Sequence, residues 1–390
     1  MGADHSPVRR DRLIQLTREW PPGYGGVERV VHAVGQGWHE LDGDSVSVSL
    51  RGTGKGEEGD PLTVDYERRQ VVSWAWGDVL VPFPCRSLIQ LLWSSDPLLV
   101  HLPCPTVLLL AGLARLLNRR RRIAALWHAF LETGGSSASS GLLLLYQSMA
   151  LAWVRWGPDP VICTSEPLCL ELQKAGVPSD RLVLLPCCLD PKTEATAETV
   201  WSERRQRGLA PTPRGRVIFI GRLESYKRVD WLIEACRQIG VARLDVIGDG
   251  SQRRFLEGLA WGQPDREADT VISFHGRLNE SEKFSLLRQA DLLVLPSASC
   301  HEAFGIVQLE AMACGVPALS FDRRRSGMAW VNGLRIGSTV PPTHAADLGA
   351  AMQAVLDPVG YATRCESCRH RYVEVFSSKV WQKRLQDLNL

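Results

Sequence analysis

Short apolar runs alternate with longer segments in which apolar residues recur every three or four positions, and this holds through most of the chain. The short runs predict strands and the longer ones amphipathic helices, the pattern of parallel sheets flanked by helices. RLIQLT at 12–17 opens the series. A glycine-rich turn, PPGYGG at 21–26, leads into a helical VERVVHAVGQGW, and SVSVSL at 45–50 follows as the next strand. PLLVHLPCP, RIAALWHAF and PVICTSE predict later strands of the same half, and RLVLLPCCLD closes it at Asp190.

The apolar pattern stops over 191–214, which predicts a linker carrying a charged helix. A second alternating series follows: RVIFIGRL, a helix through VDWLIEACRQIG, RLDVIGDG, a helix, VISFHGRL, a helix through SEKFSLLRQA, and DLLVLPS. The chain closes on an amphipathic SKVWQKRLQDLNL. The expected architecture is therefore α/β, two Rossmann-like doubly wound domains facing across a cleft. They occupy 1–190 and 215–358, with helices in 359–390 packing back on the first. No internal repeat of 20–50 residues is visible beyond the two halves themselves.

A length of 390 residues suits two domains, and 45% hydrophobic with 23% charged residues suits a chain that buries real cores. The formal net charge of +2 gives no electrostatic case for a nucleic-acid partner. Eleven cysteines at irregular spacing fit reduced thiols in a cytoplasmic protein better than a disulfide framework. The first twenty residues hold no continuous apolar core of the kind a signal peptide needs. The most apolar run, Gly141 to Val154, falls short of the ~18 residues that a spanning helix requires.

Chemistry concentrates in the second half. Arg222 and Lys227 lie between a strand and a helix, where ligands bind in open α/β sheets. A planar guanidinium beside a mobile ammonium suits a pyrophosphate, although two solvated surface cations would read the same way. Gly248, in VIGDG, and Leu278, in FHGRL, follow strands in turns that could approach a ligand or a flat base. HEAFGIVQLEAMACGVP, at 301–317, predicts a loop and then a helix from Gly305 to Cys314, with Gly315 and Pro317 as its stop. The amides of Gly305, Ile306 and Val307 would face an anion. Glu302 would stand just outside that helix start. Glu310, one to two turns in, could accept hydrogen bonds from vicinal hydroxyls.

EAFGIVQLE resembles the E-x7-E signature of retaining glycosyltransferases. GRLESYKRVDWLIEA, GDG and Asn332-Gly333 follow in the order of glycosyltransferase family 4, which has the GT-B fold. The likeness is strongest from about 215 to 335 and looser through PPGYGGVERVV, HLPCP, ALWHAF and TSE. The resemblance implies that Gly25 and Gly26 approach the donor phosphates and acceptor, and that Arg222 and Lys227 neutralise the pyrophosphate. It implies that Glu302 contacts the transferred sugar and Glu310 the ribose, with His128 near the reacting sugar hydroxyls. His101 resembles the acceptor-side histidine of a His-x-Pro-Asn-Pro motif, with Cys104 in place of the Asn. The loop 323–329, RRRSGMA, stands where relatives carry a glycine-rich run and has no assignment.

The implied activity is transfer of a sugar, mannose or a related hexose, from a nucleotide-diphosphate sugar to a glycan, lipid-linked or small-molecule acceptor, in building cell-envelope polysaccharide. No cofactor is expected. No metal is expected either, because two cations replace it and no Asp-x-Asp stands in a matching loop. The alternatives are a sugar-nucleotide epimerase of the same fold and an inactive nucleotide-binding scaffold. Residues 106–122, a leucine-rich helix closing on four arginines, read either as a core helix or as a contact with the inner face of an anionic membrane. Cys365 and Cys368 are set aside as a zinc site, since nothing in the sequence brings two more ligands to them.

Overall fold

The computed structural model describes residues 11–18, 25–52, 64–76, 79–132, 138–157, 159–261, 270–333, 335–336, 345–388 and 390. The chain folds as two compact units, Met1–Pro186 with Trp381–Leu390, and Cys187–Val380.

The first unit is built on eight strands: β1 (Leu13–Thr17), β2 (Ser45–Gly52), β3 (Glu67–Trp76), β4 (Val79–Pro82), β5 (Leu98–Leu102), β6 (Ile123–Trp127), β7 (Val161–Cys163) and β8 (Leu182–Leu184). Their order is β4-β3-β2-β1-β5-β6-β7-β8, parallel except for the antiparallel β3–β4 pair. β1, β5 and β6 are buried along their whole length, so they read as mainly apolar runs, as strands covered on both faces must, interrupted only by Gln15 and Thr17 in β1 and His101 in β5. The sequence pattern did not predict β3 and β4. They lie at the sheet edge, and Val72, Trp74, Val79 and Val81 face solvent there, so burial gives them no clear signature.

The second unit carries β9 (Arg216–Ile220), β10 (Arg243–Ile247), β11 (Val271–Gly276), β12 (Leu292–Leu295), β13 (Ala318–Phe321) and β14 (Arg335–Ile336), in the order β11-β10-β9-β12-β13-β14, all parallel. In each sheet the chain reverses its direction of travel once, between β1 and β5 and between β9 and β12. The carboxyl ends at such a switch point form a natural crevice.

Two boundaries differ from the sequence reading. Residues 191–207 are a helix, Pro191–Arg207, N-capped by Asp190 and belonging to the second unit. Its Arg204 is buried and donates to the Ala290 carbonyl at 2.7 Å, which ties the segment down. The helix Tyr361–Phe376 also belongs to the second unit, where Tyr361 donates to the Asp291 carbonyl at 2.7 Å. Only Trp381–Leu390 joins the first unit: Trp381 donates its indole N–H to the Pro186 carbonyl at 2.8 Å. Among the described residues no helix is long and apolar enough to cross a membrane, and no group of His, Cys, Asp or Glu could hold a metal ion.

Candidate active site

In the second unit the cations and carboxylates gather at the β9/β12 switch point. Arg222 and Lys227 follow β9, and Glu302 follows β12. The loop carrying Arg222 is set by a close backbone approach. A Cβ on Gly248 would lie 1.9 Å from the Gly221 carbonyl oxygen, and its φ of +131° also demands glycine. Leu223 N–H then bonds the Asp249 carbonyl at 2.9 Å. Gly248 therefore has a reason inside the protein, where the sequence suggested a ligand.

Lys227 is buried and its ammonium pairs with the Glu302 carboxylate. Burial, with the Arg222 guanidinium beside it, pushes the lysine down to about 7. Arg222 itself is exposed and reaches the Tyr226 hydroxyl, whose pKa is raised by burial. The Glu302 loop is held from behind by the segment that the sequence left unassigned. Ser326 Oγ donates to the Glu302 carbonyl at 2.6 Å, and Gly327 N–H to the Ala303 carbonyl at 2.7 Å.

The helix expected from Gly305 to Cys314 spans Val307–Ala313. Gly305 adopts φ +71° and so stands outside it, while Gln308 N–H bonds the Gly305 carbonyl and Leu309 N–H the Ile306 carbonyl. The amides of Gly305 and Ile306 precede the helix, and that of Val307 opens it. Asn332, of the Asn-Gly pair, donates to Gln308 Oε1 and to Ser320 Oγ, which locks the short helix to β13. Glu310 is not an open acceptor for hydroxyls. It is 1% exposed and pairs at 2.9 Å with Lys283, from the helix Glu280–Leu287. Sequence reasoning missed Lys283 because its partner lies 27 residues away on another helix. Leu278, partly buried, precedes that helix and its Asn279–Glu282 capping box.

The first unit presents a different set. Gly25 is the N-cap of the helix Gly26–Glu40, and Gly26 is its first residue. His101 is the penultimate residue of β5 and His128 directly follows β6, with Nδ1 of the first 2.9 Å from Nε2 of the second. His101 Nε2 lies 3.1 Å from Gln15 Oε1 on β1. Gln15, His101 and His128 thus come from three adjacent strands. His101 is 2% exposed and uses both ring nitrogens internally, so it does not offer the acceptor-side contact the resemblance implied. Burial lowers the pKa of both rings, His128 to about 3, and both are neutral at ordinary pH. Cys104 is the N-cap of the helix Pro105–Leu117.

These elements match known families across most of the chain. The model described as glycosyl transferases group 1 matches residues 201–367, and the one described as Glycosyltransferase Family 4 matches 24–193. The chain belongs to the family 4 glycosyltransferases. Its two Rossmann-like units are those of the GT-B fold. This family 4 chain is 33% identical over 171 residues to the glycogen synthase of Mycobacterium tuberculosis, a match covering 43% of the chain and 39% of that protein. It is 30% identical over 230 residues to the same organism's GDP-mannose-dependent alpha-(1-6)-phosphatidylinositol dimannoside mannosyltransferase, covering 58% of the chain and 55% of the relative. The chain therefore spans about two-fifths of the first and just over half of the second. Among solved structures, Anabaena HepE in complex with UDP-glucose superposes with a TM-score of 0.68 at 16% identity, covering 97% of this chain and 99% of that one.

Proposed function

We propose that this protein moves a hexose, mannose or a close relative, from a nucleotide-diphosphate sugar to a hydroxyl of a glycan, lipid-linked or small acceptor, with retention at the anomeric carbon. The observation that carries the reading is the pairing of buried Lys227 with half-buried Glu302 beside Arg222 at the β9/β12 switch point. A diphosphate leaving group needs concentrated positive charge, and Arg222 and Lys227 supply it on preformed backbone without a metal. In the proposed step the bond from C1 to the β-phosphate oxygen breaks and the acceptor oxygen bonds C1 on the same face. The acceptor proton passes to the departing phosphate. Glu302, next to Lys227, is assigned to face the developing charge on the sugar. His128 is assigned to the same sugar from the first unit, and Glu310 to the ribose. The latter assignment requires that Glu310 serve two partners, Lys283 and a hydroxyl. Phosphatidylinositol dimannoside and GDP-mannose in one relative's name support a mannosyl donor and a lipid-linked acceptor.

A lipid-linked acceptor also requires access to a membrane. Helix Pro105–Leu117 packs one face on the core and leaves Leu109, Leu113, Leu116 and Leu117 exposed, with exposed Arg119, Arg120 and Arg122 following. Arg121 is instead buried, donating to the Leu91 and Asp96 carbonyls. Leu142 to Leu145 are four consecutive exposed residues of helix Ala138–Trp156, so apolar surface faces outward around most of that helix turn. Leucines rimmed by arginine fit an anionic lipid surface.

The deciding assay incubates the protein with radiolabelled UDP-, GDP- and ADP-sugars and follows release of the sugar to water. Slow hydrolysis of one donor is expected, and Lys227→Ala should slow it about 10²–10³-fold. Nucleotide binding without turnover of any donor would move the reading to the inactive scaffold. Isomerised donor recovered intact would favour the epimerase.

A further inference from the structure

We infer that Gln15 and His101 are positioning residues that fix His128 in a single tautomer, with Nδ1 bare and presented to a hydroxyl group. The inference rests on the reading of His128 as a residue at the reacting sugar. Its evidence lies wholly within the first unit.

The chain of assignments starts at a backbone oxygen. Gln15 is fully buried in β1, and its Nε2 donates to the Val31 carbonyl at 3.1 Å. A carbonyl only accepts, so the amide cannot be turned round without setting two acceptors against each other. Gln15 Oε1 therefore faces His101 Nε2, and that nitrogen must carry the proton. A neutral imidazole carries one proton, so His101 Nδ1 is bare. It lies 2.9 Å from His128 Nε2, which must then be the donor. His128 Nδ1 is left as an acceptor, and none of the described residues donates to it. The His128 backbone is fixed as well, its N–H bonding the Leu102 carbonyl at 2.8 Å.

This order has a chemical consequence. A bare imidazole nitrogen held in place accepts from an O–H or N–H and repels phosphate and carboxylate oxygens, which bring lone pairs and no proton. At that position the site would admit a sugar or acceptor hydroxyl and exclude the diphosphate. A neutral, weakly basic ring orients the hydroxyl and takes no proton from it. Gln15 and His101 lie on adjacent strands and His128 directly follows the next one, its N–H on the Leu102 carbonyl, so sheet register sets most of the relay's geometry.

The test is long-range ¹H–¹⁵N correlation on the full ¹⁵N-labelled chain at pH 7, with turnover measured in parallel. Both rings should show a protonated Nε2 and an unprotonated Nδ1. Gln15→Leu should let His128 populate both tautomers and lower turnover roughly tenfold, the worth of one hydrogen bond, with donor KM changed less than twofold. His101→Gln keeps the donor–acceptor order, its amide N–H toward Gln15 and its oxygen toward His128, and should keep His128 protonated at Nε2. A wild-type spectrum with His128 protonated at Nδ1, or a Gln15→Leu spectrum identical to wild type, overturns the relay. Shifted tautomers with unchanged turnover overturn its positioning role. If His128→Ala also leaves turnover unchanged, the fault lies in the placement of His128 at the sugar.

Discussion

The two units place their candidate side chains at the same kind of address, near the carboxyl ends of strands beside a switch point, and fill it with opposite chemistry. The second unit uses buried charge: Lys227 on Glu302, Lys283 on Glu310, with Arg222 exposed alongside. The first uses buried neutrality: an amide and two imidazoles in series, with burial holding both rings uncharged. The proposed donor, a sugar nucleotide, would pose two problems separately. Its diphosphate needs countercharge, and its hydroxyls need directed acceptors.

The sharpest way to break the contrast is Lys283→Met, which strands the Glu310 carboxylate without its cation in the core. Removing one partner of a buried pair costs about 3–5 kcal/mol, and chemical denaturation should read that loss. Adding Glu310→Leu should restore most of it. A single variant within about 1 kcal/mol of the parent would mean that Glu310 does not depend on Lys283. Next in size is Lys227→Ala, expected to slow transfer about 10²–10³-fold, roughly 3–4 kcal/mol of transition-state stabilisation. His128→Ala should cost less and act on turnover alone, with nucleotide affinity by calorimetry unchanged. Equal losses in both would make it an ordinary binding residue.

The charged half should also be the half that responds to pH. Lys227 is a base held below the usual lysine range, so the free protein loses that charge as pH rises through about 7. A bound diphosphate favours the charged form and raises the pKa, so binding takes up a proton. Donor affinity should be full below pH 7 and weaken by up to tenfold per pH unit above it, until the bound-state pKa is reached. Calorimetry in buffers of different ionisation enthalpy measures the uptake directly, and Lys227→Arg should abolish it. A flat pH profile for the parent would remove Lys227 from the donor site. The smallest effect belongs to the surface. Arg119→Ser or Arg120→Ser should each weaken sedimentation with anionic vesicles by about 1 kcal/mol, roughly fivefold. Arg121→Ser should be read out in stability instead, since it strips two carbonyls of their donor. Equal binding to neutral and anionic vesicles would rule out the lipid contact.

The sequence disclosed the charged half better than the neutral one. Arg222, Lys227, Glu302 and Glu310 stand in one recognisable order, and the strands that carry them are continuous apolar runs. What it could not disclose were partnerships across the fold. Lys283 reads as a solvated helix residue, and Gln15 as a polar interruption in a core strand. Only the sheet order β1-β5-β6 shows Gln15 beside His101. The loop 323–329 resisted assignment because its work is done by Ser326 Oγ and Gly327 N–H on a loop more than twenty residues earlier. The charged helix expected over 191–214 is there, but its membership of the second unit was not legible, because its exposed face is highly charged while Ala197, Val200 and Arg204 bury the other.

The return of Trp381–Leu390 to the first unit bears on the order in which the protein can be made. The second unit is one uninterrupted stretch, Cys187–Val380, whereas the first is split, with its last pieces nearly two hundred residues downstream. Gly37 shows what waits for them: a Cβ there would come within 2.7 Å of the Trp381 ring and 2.9 Å of Leu385. On a ribosome adding roughly 5–20 residues per second, the first unit would spend on the order of ten seconds or more with that helix face uncovered while the second unit emerges. Of the two units, the one that emerges first is therefore the one that finishes last. A chaperone that shields apolar surface should engage the nascent chain during that interval and release it once Trp381 has cleared the exit tunnel.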